Sequence, residues 1–265
     1  DGKWEEHVVI PYKFLQGKVE AHTEEVFKKA TGIWEAATCV KFQKKRPTDG
    51  AALPVRADRK ACAVTSQPRT DGLPSNGADS TVVDLGLCSE AHHLGHIVHE
   101  LGHVIGMAHE MRRPDAHPEK PYHGQGPWIQ LKWEGIKEDE AYINEFISHE
   151  DAYTGSGGNY AEYDFSSVMG YGMLNKEGKQ WYGLSEKVRN DDELMEKLNV
   201  DELMASNWDR RPEKLSEGDI AQVRDMYRCK EKNKEKEEKK EEEEKEKNKE
   251  EEKKGEKNKE EKKEE

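Results

Sequence analysis

Twelve residues, HELGHVIGMAHE from His99 to Glu110, hold three histidines, two glutamates and two glycines. On a helix, positions i and i+4 lie one turn apart on one face, with Cβ atoms about 5–6 Å apart. His99 and His103 can therefore each turn one ring nitrogen toward a shared metal ion. A third ligand two turns further along the same helix would be too far along the axis, so the chain has to turn before His109. Gly106 permits the turn, because glycine reaches φ > 0 without a Cβ penalty and commonly ends helices. Zinc held by three histidines keeps a fourth position for water, which is the catalytic pattern; a structural site is closed by four protein ligands. The expected cofactor is one Zn2+ ion on His99, His103 and His109. Glu100, beside His99, is placed to touch the water without being a ligand. A water whose pKa zinc lowers to about 7, next to a carboxylate that takes its proton, is hydrolytic chemistry. HExxH alone recurs by chance in roughly one chain in a hundred of this length, so Gly106 and His109 carry the specificity. His92, His93 and His96 lie just upstream. They read as solvent-facing residues of the helix start, with transient metal loading or a fifth-ligand role as the alternative, and His96, three residues before His99, could share its helix face.

The elements that must position these residues are legible in outline. The helix of the motif is expected over Gly95–Ile105. VVIPYKF (Val8–Phe14) is apolar and β-branched at its start and reads as a strand. From Glu20 to Ala37, Val26, Ala30, Ile33, Trp34 and Ala37 recur at helical spacing. CVKFQ, ALPVRA, CAVTS and STVVDLGL read as four more short strands, separated by segments carrying Pro, Gly, Asn and Asp. The first hundred residues thus suggest a mixed sheet with one helix packed on it. Beyond the motif, a helix is expected around Trp133–Ile147 and a loop at Gly155–Gly158. A last helix follows Ser216, an N-cap with Asp219 three residues on, and Ile220, Val223 and Tyr227 are expected to face the core. No internal repeat is found.

The chain has 265 residues and a net charge of −13. From Lys230 to Glu265 it holds 15 Lys and 17 Glu with only Asn and Gly besides. That stretch cannot form a core and is expected to be disordered or an isolated helix. Residues 1–229 remain as one sizeable domain. Their acidity argues against nucleic acid or an anionic membrane surface as partner. No signal peptide is visible, and no apolar run approaches the ~20 residues that span a bilayer. Cys39, Cys62, Cys88 and Cys229 contain no CxxC pair. Two disulfides in an oxidising compartment, or four buried thiols, are the readings open from composition.

HExxHxxGxxH followed later by a methionine-containing turn resembles the metzincin metalloproteases. Glu110 after the third histidine and the turn SSVMGYG, with Met169 and Tyr171 in the matching places, narrow the resemblance to the astacins. KWEEHVVIPYKF, ATCVKFQ, WEGIKEDEAYINEF and LSEGDIAQVRDMYRC extend it over most of residues 3–229. The resemblance implies an α+β, zincin-like catalytic domain: two subdomains flanking a cleft, the N-terminal one a mixed sheet with helices. It implies zinc on His99, His103 and His109, and Glu100 as general base and then acid. Met169 would form an apolar floor under the metal, and Tyr171 an outer ligand that swings to the oxyanion. It implies disulfides Cys39–Cys229 and Cys62–Cys88. Glu110 is left with two partners, the chain's mature N-terminus or a local buried ion pair. Gly170 departs from the family's histidine at that place and is expected to loosen the turn around Tyr171, and SEAHHL before Gly95 adds residues at the approach to the site. The expected activity is that of a secreted, monomeric zinc endopeptidase acting on proteins or peptides. A zinc-binding but non-catalytic interaction module on the same scaffold is the alternative. Arg210 and Arg211 are candidates for favouring acidic side chains beside the cut bond, against a reading as a solvated surface pair.

Overall fold

The structure is a computed structural model that describes residues 3–46, 48–65, 81–117, 126–137, 146, 153–155, 161–207, 209 and 211–232. The Lys/Glu stretch beyond Lys232 and most of the Gly155–Gly158 loop lie outside these. The chain divides into two compact units. In the smaller, Trp4 bridges Glu231 in antiparallel fashion, and the N–H of Glu5 donates to the carbonyl of Lys230 at 2.8 Å. The larger, His7–Arg228, holds all the strands and helices that follow.

Strand β1 (Val8–Phe14) buries Ile10, Tyr12 and Phe14 and leaves the residues between them more exposed, the period-two pattern of a sheet with one face in the core. β2 (Val40–Lys44), β3 (Leu53–Arg56), β4 (Ala63–Val64) and β5 (Val83–Asp84) complete a sheet of order β2-β1-β3-β5-β4. The β1–β2, β1–β3 and β3–β5 pairs are parallel and only the edge strand β4 is antiparallel, so the mixed sheet expected from sequence is present. Helix α1 (Ala21–Ala37) crosses between β1 and β2 and buries Val26, Phe27, Ala30 and Trp34. The indole N–H of Trp34 donates to the carbonyl of Val98 at 3.0 Å, which seats α1 on α2 (Leu94–Ile105), the helix of the histidine motif.

A second hydrophobic core gathers Trp128, Ile129, Phe146, Tyr163, Phe165, Trp181, Tyr182 and Leu184 around the antiparallel pair β6 (Ile129–Leu131) and β7 (Tyr182–Leu184). Helix α3 covers Trp133–Ile136, and residues 138–145 and 147 of the longer helix expected there lie outside the described residues. Three short helices that the sequence analysis did not anticipate follow β7: α4 (Glu186–Arg189), α5 (Asp192–Lys197) and α6 (Val200–Met204). Each opens on an N-cap side chain, Ser185, Asp191 or Asn199. The two cores correspond to the two expected subdomains; the chain first passes from one to the other between Met107 and Met111, and Val168 and Met169 return to the first before Tyr171 joins the second.

Helix α7 (Glu217–Met226) carries the anticipated capping box of Ser216 and Asp219. Its buried face differs in part from expectation. Val223 is buried and Tyr227, partly buried, packs against the same core as expected, but Asp219 and Gln222 are buried beside them and Ile220 is only partly buried. Cys62 and Cys88 form a disulfide with Cα atoms 5.6 Å apart. Cys39 and Cys229 are each disulfide-bonded as well, so the free-thiol alternative is excluded.

Candidate active site

α2 buries nearly all of its residues, including His99, Glu100 and His103. It stops where expected. Gly106 has φ +109°, its N–H reaches the carbonyl of His103 at 3.0 Å, and the N–H of Met107 reaches that of Gly102 at 2.9 Å. This closure with a left-handed residue satisfies the orphan carbonyls of the last turn, and it redirects the chain so that His109 comes back on the two helical histidines.

The three rings meet at their Nε2 atoms. Nε2 of His109 lies 3.2 Å from that of His99 and 3.0 Å from that of His103. In tetrahedral zinc, nitrogens held at about 2.0–2.1 Å stand about 3.3–3.4 Å from one another, so the spacing is that of a zinc-sized cation. The tautomers agree. His99 Nδ1 faces the carbonyl of Val168 at 2.7 Å and His103 Nδ1 faces that of Met107 at 2.8 Å. A carbonyl only accepts, so both Nδ1 atoms carry the proton and both Nε2 atoms present lone pairs. Carbonyls that hold the far nitrogen of a histidine are the usual support of a metal ligand. Burial, reinforced by the nearby guanidinium of Arg211, holds His99 well below the usual histidine range, in the neutral form a metal needs. The donor set therefore fits zinc.

The trio opens on a cleft of about 570 Å³ that Glu100, Tyr171, Arg211 and β4 also line. Burial pushes the Glu100 carboxyl up to about 8, against the lowering pull of Arg211 and of the N–H of Val64 on β4. The ring of Tyr171 lies 4.6 Å from that of His109 and 6.2 Å from that of His99. Its carbonyl accepts from the hydroxyl of Tyr182. The turn has not drifted from the histidines, despite Gly170. Met169 is wholly buried, and a Cβ on Gly102 would stand 2.4 Å from its sulfur. A side chain at Gly102 would have to displace the thioether from its place against α2.

Of the two expected partners of Glu110, Asp1 lies outside the described residues; among them Glu110 makes the local buried ion pair. Its carboxylate lies 3.4 Å from Nη1 of the wholly buried Arg113 and accepts from the N–H of Asp164 at 2.8 Å. Burial nevertheless pushes it up to about 8. Arg113 also grips Asp115 with two bonds of 2.9 and 3.0 Å, and Asp115 accepts from the indole of Trp128 at 2.8 Å. Sequence reasoning passed over Arg113 and Asp115, since two charges in a loop carry no sign of burial.

The upstream histidines divide. His92 is exposed as expected. His93 and His96 instead line the cleft, and His96 Nε2 sits 2.9 Å from Asp209, so the solvent-facing reading is corrected for both. The 3-10 turn Ala91–His93 folds SEAHHL back toward the site. Arg211 holds its guanidinium carbon 4.6 Å from the centroid of the Tyr171 ring, in place of the solvated pair that was the other reading; Arg210 lies outside the described residues.

Over residues 1–228 the chain matches the family model of Astacin, a peptidase family. Tolloid-like protein 1 of Mus musculus is 27% identical over 221 residues, which are 83% of this chain and 18% of that protein. Zinc metalloproteinase nas-39 of Caenorhabditis elegans is 26% identical over 223 residues, 84% of this chain and 20% of that protein. The chain thus spans about a fifth of the length of these relatives. Among solved structures, High choriolytic enzyme 1, a hatching enzyme zinc-protease from Oryzias latipes, superposes with a TM-score of 0.57 at 19% identity. That match covers 86% of this chain and 96% of the other, a likeness of fold. With the fold, the three convergent histidines and a match running from the first residue to the last helix, the chain belongs to the astacin family of peptidases.

Proposed function

We propose that this chain is a zinc-dependent endopeptidase. The observation that carries the reading is the meeting of three histidine Nε2 atoms in an open cleft, with the carboxyl of Glu100 beside them and the ring of Tyr171 against His109. When bound, zinc supplies a Lewis acid that polarises the scissile carbonyl and brings the pKa of a water to about 7. His99, His103 and His109 would hold the ion, the first two oriented by the carbonyls of Val168 and Met107 behind them. Glu100 accepts the proton of the attacking water and returns it to the leaving amine. Tyr171 donates its hydroxyl to the developing oxyanion. Arg211 adds a cation to the cleft and favours an acidic side chain beside the cut bond. We read residues 1–229 as the catalytic domain and Cys39 as the partner of Cys229; Lys230, Glu231 and Lys232 pair with residues 3–5, so a tail that serves only as a spacer begins after them. No helix among the described residues is long and apolar enough to cross a membrane. The disulfides need an oxidising compartment, and we read the protein as an extracellular monomer acting on proteins or peptides.

The rival reading, a zinc-holding module without catalysis, needs the three histidines but not Glu100. Glu100→Ala separates the two. Zinc content by atomic absorption should stay near one ion per chain, while cleavage across a peptide library falls to background. The same library run with Arg211→Ala should lose its bias toward acidic residues. A zinc-loaded wild type that cuts nothing favours the module. A Glu100→Ala protein that cuts as well as wild type removes Glu100 as the base.

A further inference from the structure

Asp219 is wholly buried on α7, where its backbone N–H and carboxylate complete the capping box with Ser216. A helix cap needs no such burial, and the carboxylate has other partners. Oδ1 accepts from the hydroxyl of Ser167 at 2.7 Å, and Oδ2 from the N–H of Val168 at 3.0 Å and of Ser216 at 2.9 Å. The oxygen of Ser167 accepts in turn from the N–H of Met169 at 3.0 Å. That N–H belongs to the peptide unit whose carbonyl, that of Val168, receives Nδ1 of His99 at 2.7 Å.

The bonds therefore form one directed series. His99 Nδ1–H donates to the Val168 carbonyl, the N–H at the other end of that peptide donates to Ser167, and Ser167 donates to the Asp219 carboxylate. Every donor points the same way, so each bond polarises the next, and in a dry interior such a series acts as a unit. A carboxylate bonded directly to the far nitrogen of a metal-binding histidine fixes its tautomer and raises its basicity. Here a hydroxyl and a peptide stand between the two.

We propose that Asp219 is a positioning residue of the metal centre. Through Ser167 and the Val168–Met169 peptide it fixes the orientation of His99, and it increases the electron density that Nε2 offers to zinc. The inference rests on the reading of His99 as a zinc ligand. It gives the last helix a direct bearing on metal affinity.

The test must distinguish this from capping, and two serines on opposite sides of Asp219 allow it. Ser167→Ala cuts the series and leaves the capping box whole. Ser216→Ala removes the capping hydroxyl and leaves the series whole. Two quantities are measured on the full chain: the zinc dissociation constant by competition with a chromophoric chelator, and the thermal midpoint of the zinc-free protein. Ser167→Ala is expected to weaken zinc about tenfold or more, the range for losing an outer partner of a ligand. Asp219→Asn should shift affinity in the same direction. Ser167→Thr, which restores the hydroxyl, should recover most of the loss. Ser216→Ala should keep zinc within about twofold of wild type while lowering the midpoint. Zinc affinity in Ser167→Ala equal to wild type, or an equal weakening in Ser216→Ala, overturns the proposal and leaves Asp219 a helix cap. A wild type with no measurable zinc affinity overturns the metal-site reading itself.

Discussion

Replacing Arg113 with methionine tests how the chain after the third histidine is held. Arg113 and Asp115 are wholly buried and Glu110 is 3% exposed. The guanidinium makes two bonds to Asp115, an ion pair with Glu110, and bonds to the carbonyls of Ala161 and Glu162. Methionine keeps much of the volume and supplies none of these, so two buried carboxyls lose the cation that faces them both. Removing one partner of a buried charge pair costs roughly 3–5 kcal/mol. For a domain of this size each kcal/mol lowers Tm by about 2–4 °C, so a fall of roughly 6–20 °C is expected. The pH dependence has a definite sign. Burial raises the folded-state pKa of Glu110 from 4.5 to about 8 against the pull of Arg113. A carboxyl with a raised folded pKa contributes its full stability below the unfolded value and loses it as pH rises through the folded one. Without Arg113 the folded value climbs further, so the deficit relative to wild type should be larger at pH 9 than at pH 5. Calorimetric unfolding of both proteins at pH 5, 7 and 9 measures it. A midpoint within about 2 °C of wild type at all three, or a deficit that shrinks toward high pH, would show that Arg113 is not the countercharge of Glu110. The N–H of Glu110 donates to the carbonyl of Met169 at 3.1 Å, so the loss should also reach the turn that carries Met169 and Tyr171.

Tyr171→Phe is expected to lower kcat by roughly 10²-fold, the low end for losing one oxyanion donor. KM should change little, because the contact forms in the transition state, and steady-state kinetics at the wild-type rate would refute the role. Peptide mapping without reductant is expected to find Cys62 joined to Cys88 and Cys39 joined to Cys229. Free thiols or a Cys39–Cys62 peptide would overturn that pairing.

The sequence by itself determined what depends on neighbours along the chain. The spacing of His99 and His103, the break at Gly106, the β-branched start of β1 and the capping of α7 by Ser216 are all local features, and the structure repeats them almost residue for residue. The grouping of His99, His103 and His109 was legible for the same reason, since all three lie within one helix and the turn that ends it. Tertiary structure decided the rest, because a side chain's partners depend on where distant segments return. Asp219 reads as one half of a cap, and only the approach of Ser167 and Val168, about fifty residues away, gives its carboxylate partners beyond the helix. The apolar Ile220 was expected in the core, yet α7 buries Asp219 and Gln222, since the segment it faces offers N–H and O–H donors that a hydrocarbon could not satisfy. Arg211 and Arg113 are equally charged in the sequence. One faces the cleft over Tyr171 and the other closes a buried ion cluster, and that difference arises from packing alone.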